Sequence, residues 1–349
     1  MTGQDQRWRS LAELPYAFGP PPSVGRMREV PEDFKVDEVL GFAPDGEGEH
    51  WLLRIRKRGV NTDWVARRLA SVAGVAPREV SYAGLKDRRA VTSQWFSIRA
   101  PGRTTPNWDA LEAEGLELLD AARHRRKLRR GVLKANRFQI RLRGVQGDRA
   151  ALDARLRVIR ERGFPNYFGG QRFGHGYRNL SEAARLFSGR IKGLKRHQRG
   201  LYLSAARSML FNELLARRIE AGRWDMPLTG DLVMLEGSHS RFEVDTADAS
   251  ILARASELDL HPTGPLFGRG DPEVGGQPAQ WEAEVAQCFA GWVEGLGRFG
   301  LRRDRRALRA VARGLKWHLA DGVLTLDFSL APGCYATQLL REAVSVSEP

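Results

Sequence analysis

The chain has 349 residues, 42% hydrophobic and 28% charged, and its 56 Lys and Arg against 42 Asp and Glu leave a net charge of +14. That length predicts about two domains, each able to bury its own core, and the positive balance attracts polyanions, nucleic acid first. The sequence has no 18-residue apolar run, no secretory core in MTGQDQRWRS, no lipidation signal and only two distant cysteines, Cys288 and Cys334; these exclude a membrane span, a disulfide framework and a CxxC zinc site, and predict a soluble chain of the reducing cytoplasm.

After a Pro-rich entry at 16–23, residues 25–55 alternate β-like runs, REV, FKVDEVL and HWLLRI, with turn signals at Pro31 and at 44–48. Asn61 or Thr62 then caps a helix with Val65, Leu69 and Val72 on one face, and Gly74 stops it. Residues 94–98 read as a strand. In residues 137–143, Phe138, Ile140 and Leu142 alternate toward one face, and residues 150–161 form an amphipathic helix.

At Gly163 the character changes to FPNYFGGQRFGHGYRN, glycines and aromatics without a period. A domain boundary is expected there. Beyond it come a helix at 204–220, with Met209, Leu210, Leu214 and Ile219 toward a core, short strands, and a glycine-rich loop at 264–276. Strands return from about Lys316 as KWHLA and VLTLDFSL, followed by a helix from Ala336 to Ala343. Strands at both ends around a different middle predict an α+β protein carrying an inserted domain.

Residues 81–98, SYAGLKDRRAVTSQWFSI, place one carboxylate, Asp87, among Lys86, Arg88 and Arg89 in a glycine-initiated turn. Nearby cations favour the ionised form of a carboxylate, which suits a nucleophile or base if the side chain is sheltered. The plainer reading is a surface ion pair with Arg88 or Arg89, which contributes about 0–1 kcal/mol. A basic run at 124–138, HRRKLRRGVLKANRF, offers Arg126, Lys127, Arg129, Arg130 and Lys134 to phosphates. Asn136 could read a base and Phe138 stack on it; alternatively, the run is a solvated helix face and Phe138 is core. By pattern alone Phe34 is a strand core residue, and Tyr335 is a ring packed at a turn. Scattered histidines, and the absence of a P-loop, a GxGxxG after a strand and a GxSxG elbow, argue against a metal enzyme, a nucleotide cofactor and a serine hydrolase.

With these residues in view, the chain resembles the tRNA pseudouridine synthase D (TruD) family over nearly its whole length. The likeness rests on PEDFKVDE (31–38), AGLKDRRAVTSQWFS (83–97), RKLRRGVLKANRF (126–138), PNYFGGQRFG (165–174) and PGCYATQLLRE (332–342), in family order. It implies isomerisation of a tRNA uridine to pseudouridine, with uridine 13 of the D arm as working substrate. Asp87 falls on the family nucleophile, and Phe34, Asn136 and Phe138 fall on its substrate site. Tyr335 stands where the family usually has phenylalanine. The implied fold is a pseudouridine synthase catalytic domain at 1–163 and 313–349, a mixed and largely antiparallel sheet flanked by helices, interrupted by an α/β TRUD domain at 164–312. No metal, cofactor or obligate protein partner is implied; tRNA is the one partner.

Two other activities stay open on the residues: a non-catalytic basic RNA-binding module that does not need Asp87, and a metal-dependent nuclease. The second is the weaker, because no acidic ligands cluster in the sequence.

Overall fold

The computed structural model describes residues 8–100, 105–129 and 131–348. Contacts divide them into two compact units, one of residues 22–152, 312–333 and 344–348, the other of 8–21, 153–311 and 334–343. The second unit thus takes in segments at 153–163 and 334–343 that chain order alone groups with the flanks. Backbone contacts draw this division: they assign residues 153–162 of α2 (Arg149–Arg162) and the last helix to the second unit.

The first unit opens with β1 (Ser23–Met27), β2 (Phe34–Leu40) and β3 (His50–Arg58); β2 and β3 fall on the predicted runs FKVDEVL and HWLLRI and bury Phe34, Val36, Leu52, Leu53 and Ile55. The expected REV strand is absent. Arg28 adopts φ 61°, ending β1 one residue before the predicted run begins to extend. Helix α1 (Thr62–Val72) buries Val65 and Leu69, and Gly74 follows it at φ 64°. Neither Asn61 nor Thr62 supplies a side-chain cap to α1; Thr62 bonds elsewhere, as described below. Then come β4 (Val80–Tyr82), β5 (Val91–Arg99), β6 (Glu117–His124) and β7 (Leu133–Gly147). The basic run is therefore the connection between two strands, not a helix face.

The second unit is built on a 25-residue helix, α4 (Arg196–Glu220), which starts eight residues before the predicted Ser204. Its core joins α4 to α3 (Arg178–Phe187) and, further along the chain, to α6 (Gly276–Cys288) and α7 (Ala290–Arg298) through Leu180, Met209, Phe211, Leu214, Trp292 and Leu296. A short pair, β8 (Phe164–Pro165) and β13 (Arg309–Ala310), lies beside a four-stranded sheet of β9 (Leu232–Leu235), β10 (Arg241–Glu243), β11 (Leu260–Leu266) and β12 (Asp304–Ala307), ordered β10-β9-β11-β12. Helix α5 (Ala249–Ser256) precedes β11. Strand β11, LHPTGPL, runs on through Leu266, so its last three residues lie inside the region expected to be a glycine-rich loop at 264–276. Gly264 serves packing there: a Cβ would meet Leu214 and Leu308 at 2.9 Å. Two buried ion pairs, Arg218 to Asp231 at 2.8 Å and Arg305 to Glu282 at 2.7 Å, brace the unit.

The chain returns to the first unit through β14 (Arg313–Ala320) and β15 (Val323–Leu330), then forms α8 (Ala336–Ala343) and closes with β16 (Val344–Ser347). The large sheet runs β14-β15-β7-β2-β5-β3-β6, with β4 on β5 and β1 between β16 and β7. Among the described residues of this sheet, β2–β5 and β1–β16 are the parallel pairs. The chain is thus an α+β protein whose main sheet is mixed and largely antiparallel. Among the described residues no helix is long and apolar enough to cross a membrane.

Candidate active site

Strand register brings distant segments into one row on one sheet face, because directly paired residues point the same way. Lys57 pairs with Thr92, Thr92 with Val36, Val36 with Phe138, and Phe138 with Phe328. In the neighbouring row Glu38 lies opposite Asn136. Polar residues buried in such rows need partners, and Lys57 and Glu38 find theirs in the loop that leaves β4 for β5, which carries Asp87.

Four side chains anchor that loop. Gln94 donates to the Gly84 carbonyl, Thr62 accepts the Lys86 N–H at 3.0 Å, and Thr62 in turn donates to Gln94 at 3.0 Å. Lys57, 1% exposed, donates to the backbone carbonyls of Val60 at 2.8 Å and Asp87 at 3.1 Å. Lys86 turns inward to Glu38 at 2.6 Å, and Glu38 also accepts the Trp95 N–H at 2.8 Å. Burial pushes the Glu38 carboxyl up against the pull of Lys86, and burial lowers Lys57 to about 8 although Asp87 opposes it. The backbone around Asp87 is therefore suspended from the buried face of the sheet.

Arg28 supplies the guanidinium at the carboxylate. It donates to Asp87 Oδ2 at 2.6 Å and to Glu348 at 2.9 Å, and its Cζ lies 4.5 Å from the centre of the Phe34 ring. The Arg28 side chain is 9% exposed and that of Asp87 26%, so the carboxylate is sheltered but reachable. Two of the three neighbours that sequence reasoning emphasised do other work: Lys86 pairs with Glu38, and Arg88 donates to the Gly59 carbonyl at 3.1 Å.

The structure brings Asp87, Phe34, Asn136 and Phe138 into the same unit. Phe34 meets Phe138 edge-on at 6.1 Å, and Phe138 stacks on Phe328 at 5.3 Å. Both Phe34 and Phe138 are buried, as strand alternation predicts. Asn136 carries a buried Oδ1 without a hydrogen-bond partner. A buried amide oxygen without a partner leaves an acceptor open to a ligand donor. Arg126, Lys127, Arg129 and Lys134 are exposed, and none has an acidic partner within 4.0 Å among the described residues; Arg130 lies outside the described residues.

Tyr335 belongs to the other unit. Its ring lies 6.2 Å from Phe168, and its hydroxyl accepts from Arg172 at 3.2 Å. The oxygen that phenylalanine lacks thus orients a guanidinium that also donates to Ser204 at 2.9 Å.

Sequence reasoning missed Arg28, Lys57, Glu38, Thr62 and Gln94. Lys57, Glu38 and Gln94 carried a signal, since each is a polar residue at an inward-facing strand position. Arg28 carried none, because its position follows from a single left-handed residue.

A family model described as tRNA pseudouridine synthase D (TruD) matches residues 12–184 and 176–343. A curated tRNA pseudouridine synthase D of Methylococcus capsulatus is 52% identical over 334 residues, covering 95% of this chain and 94% of the relative. That of Hydrogenovibrio crunogenus is 43% identical and covers 97% of each chain. A solved structure from Methanosarcina mazei, described as a tRNA pseudouridine synthase D (TruD), superposes with TM-score 0.70 at 22% identity, covering 94% of this chain and 95% of that one; it supports the fold alone. Family match, full-length relatives and the suspended Asp87 loop lead to one conclusion: the chain belongs to the tRNA pseudouridine synthase D (TruD) family.

Proposed function

We propose that the chain isomerises a uridine of tRNA, uridine 13 of the D arm, to pseudouridine, with Asp87 as the covalent catalyst. The observation that carries this reading is the Asp87 carboxylate, held at 2.6 Å by Arg28 on a loop whose backbone is fixed by Thr62, Gln94 and Lys57. A nucleophile must be both ionised and positioned, and such a loop does the positioning before substrate arrives.

The uridine leaves its stack first, at a cost of a few kcal/mol. Phosphates on the cations of 126–134 and stacking on Phe34 or Phe138 offset that cost. Leu85, two residues before Asp87, is 71% exposed and offers apolar surface to the opened RNA. Asn136 Oδ1 accepts a uracil N–H. Asp87 then adds to C6 of the base or bonds to C1′ as the base departs; the N-glycosidic bond breaks, the uracil turns, C5 bonds to C1′, the bond to Asp87 breaks to return the carboxylate, and C5 loses its proton while N1 gains one. Atoms balance without a cosubstrate.

In the same proposal the large sheet is the catalytic domain of residues 1–163 and 313–349, and residues 164–312 are the inserted TRUD domain. Work on tRNA places the protein in the cytoplasm, with tRNA its required partner. Chemical mapping of pseudouridine in tRNA treated with wild type and with Asp87→Asn tests the reading. A single modified position with wild type and none with the variant, which still folds and binds tRNA, is the expected result. Undiminished modification by Asp87→Asn overturns it.

A further inference from the structure

We propose that a groove in the unit lacking Asp87 docks an unstacked nucleotide of the RNA substrate, with its base on an apolar floor and its phosphates on a cationic rim. The inference rests on the RNA-modifying reading above and assigns this groove a part in holding the substrate. The groove lies between the end of α3, the loop after it, the start of α4 and the end of α7, and encloses ≈ 460 Å³. Pockets for small ligands fall in that size range.

The floor is apolar. Phe187, Ile191 and Phe299 line it, and Phe299, 36% exposed, lies 6.3 Å from the Phe187 ring. Arg298 braces the wall by donating to the Phe187 carbonyl at 2.8 Å. An exposed phenylalanine edge beside a recess gives a base a face to stack on, whatever its identity.

The rim is cationic and unneutralised. Lys192 and Arg199 line the groove, and residues 188–200, SGRIKGLKRHQRG, hold Arg190, Lys192, Lys195, Arg196 and Arg199 with no Asp or Glu. Among the described residues none of these five has an acidic partner within 4.0 Å, whereas Arg185, just before them, pairs with Glu182 at 3.0 Å. Two of the five, Arg196 and Arg199, sit in the first turn of α4, where the helix dipole is positive and cations are unfavourable. Mutual repulsion and the dipole both oppose this arrangement in the free protein. A polyanion relieves both, and the aromatic floor selects a polyanion that carries bases over an acidic peptide.

The test compares wild type with the double variant Lys192→Ala/Arg199→Ala and with Phe299→Ala, after matched thermal melts. All three side chains are exposed, so the fold is expected to hold; if Phe299→Ala melts early, the double variant decides alone. The expected result is a tenfold or greater rise in Kd and KM for tRNA with kcat at saturation within about twofold. The salt dependence of log Kd should flatten by about 1.4 for the double variant, at roughly 0.7 per lost single-strand phosphate contact. A benzophenone amino acid placed at position 299 should crosslink to tRNA.

Unchanged affinity and salt slope, or a crosslink formed only to protein, overturns the groove assignment even if wild type makes pseudouridine. A wild type that makes no pseudouridine but shows the crosslink and the slope change overturns the enzymatic reading and leaves the groove standing.

Discussion

Arg28 joins two candidate site residues with one guanidinium: it donates to Asp87 at 2.6 Å while its Cζ lies 4.5 Å from the centre of the Phe34 ring. A residue with φ 61° makes this possible, turning the chain out of β1 so that the side chain reaches the loop after β4. Left-handed backbone at a non-glycine residue costs roughly 1–2 kcal/mol and persists where something compensates it.

That relationship separates stability from activity. Arg28→Gly removes the guanidinium but relaxes the backbone, so its melting temperature should stay close to wild type. Its kcat on tRNA should fall roughly 100-fold, the scale seen when a preorganised donor is lost from an active site. A variant that melts normally and turns over at the wild-type rate would remove Arg28 from the mechanism.

Lys57 predicts a pH dependence of stability. Its folded pKa, about 8, lies below the ordinary 10.5, chiefly through burial and against the attraction of Asp87. Between those values the unfolded chain binds the proton better, so stability should rise as pH climbs from about 8 to 10.5 and level off beyond. The rise is on the order of 3 kcal/mol at 1.36 kcal/mol per unit. Denaturant titrations of wild type and Lys57→Met at pH 7.5, 9 and 10 should show the rise only in wild type.

Asn136 should behave unlike most buried polar residues. Because its Oδ1 already lacks a partner, truncation to alanine removes a desolvated acceptor without breaking a bond to it. Asn136→Ala should therefore unfold within about 1 kcal/mol of wild type. It should lose 10- to 100-fold in kcat/KM through the missing contact to the base. Matched steady-state kinetics and urea unfolding measure both.

Glu342 predicts the opposite slope from Lys57 and reports on the other unit. Burial lifts its carboxyl from the ordinary 4.5 to about 7, against Arg341 and the N–H groups of Ala17 and Phe18. The folded state then holds the proton better, so stability should be highest below pH 4.5 and fall as pH rises to about 7. Glu342→Gln should be the more stable protein above pH 7, by on the order of 3 kcal/mol, and equal to wild type below pH 4.5. Thermal melts at pH 4, 6 and 8 check it.

Where strand side chains alternate cleanly, as in FKVDEVL and VLTLDFSL, the element is legible because period-2 burial is written into residue order. Two segments misled for physical reasons. REV carries good strand formers, but the left-handed turn at Arg28 is set by what its guanidinium meets and not by local preference. Gly264, Pro265 and Leu266 look like the start of a glycine-rich loop, yet they end a buried strand in which Phe211, Leu214 and Leu308 crowd Gly264. The first eight residues of α4 also escaped, since a cationic, weakly apolar opening gives no periodic signal.

Residue order by itself determined the α+β class, the polyanion-seeking charge, and the motif segments that carry Asp87, Phe34, Asn136, Phe138 and Tyr335. Those properties are local or summed, and one chain is enough to read them. Only tertiary structure decided that Arg28, 59 residues from Asp87, reaches its carboxylate, that Lys57, Thr62 and Gln94 suspend its loop, and that Tyr335 meets Arg172. Those are meetings between segments brought together by sheet register and core packing, where each partner's choice depends on the burial of all the others.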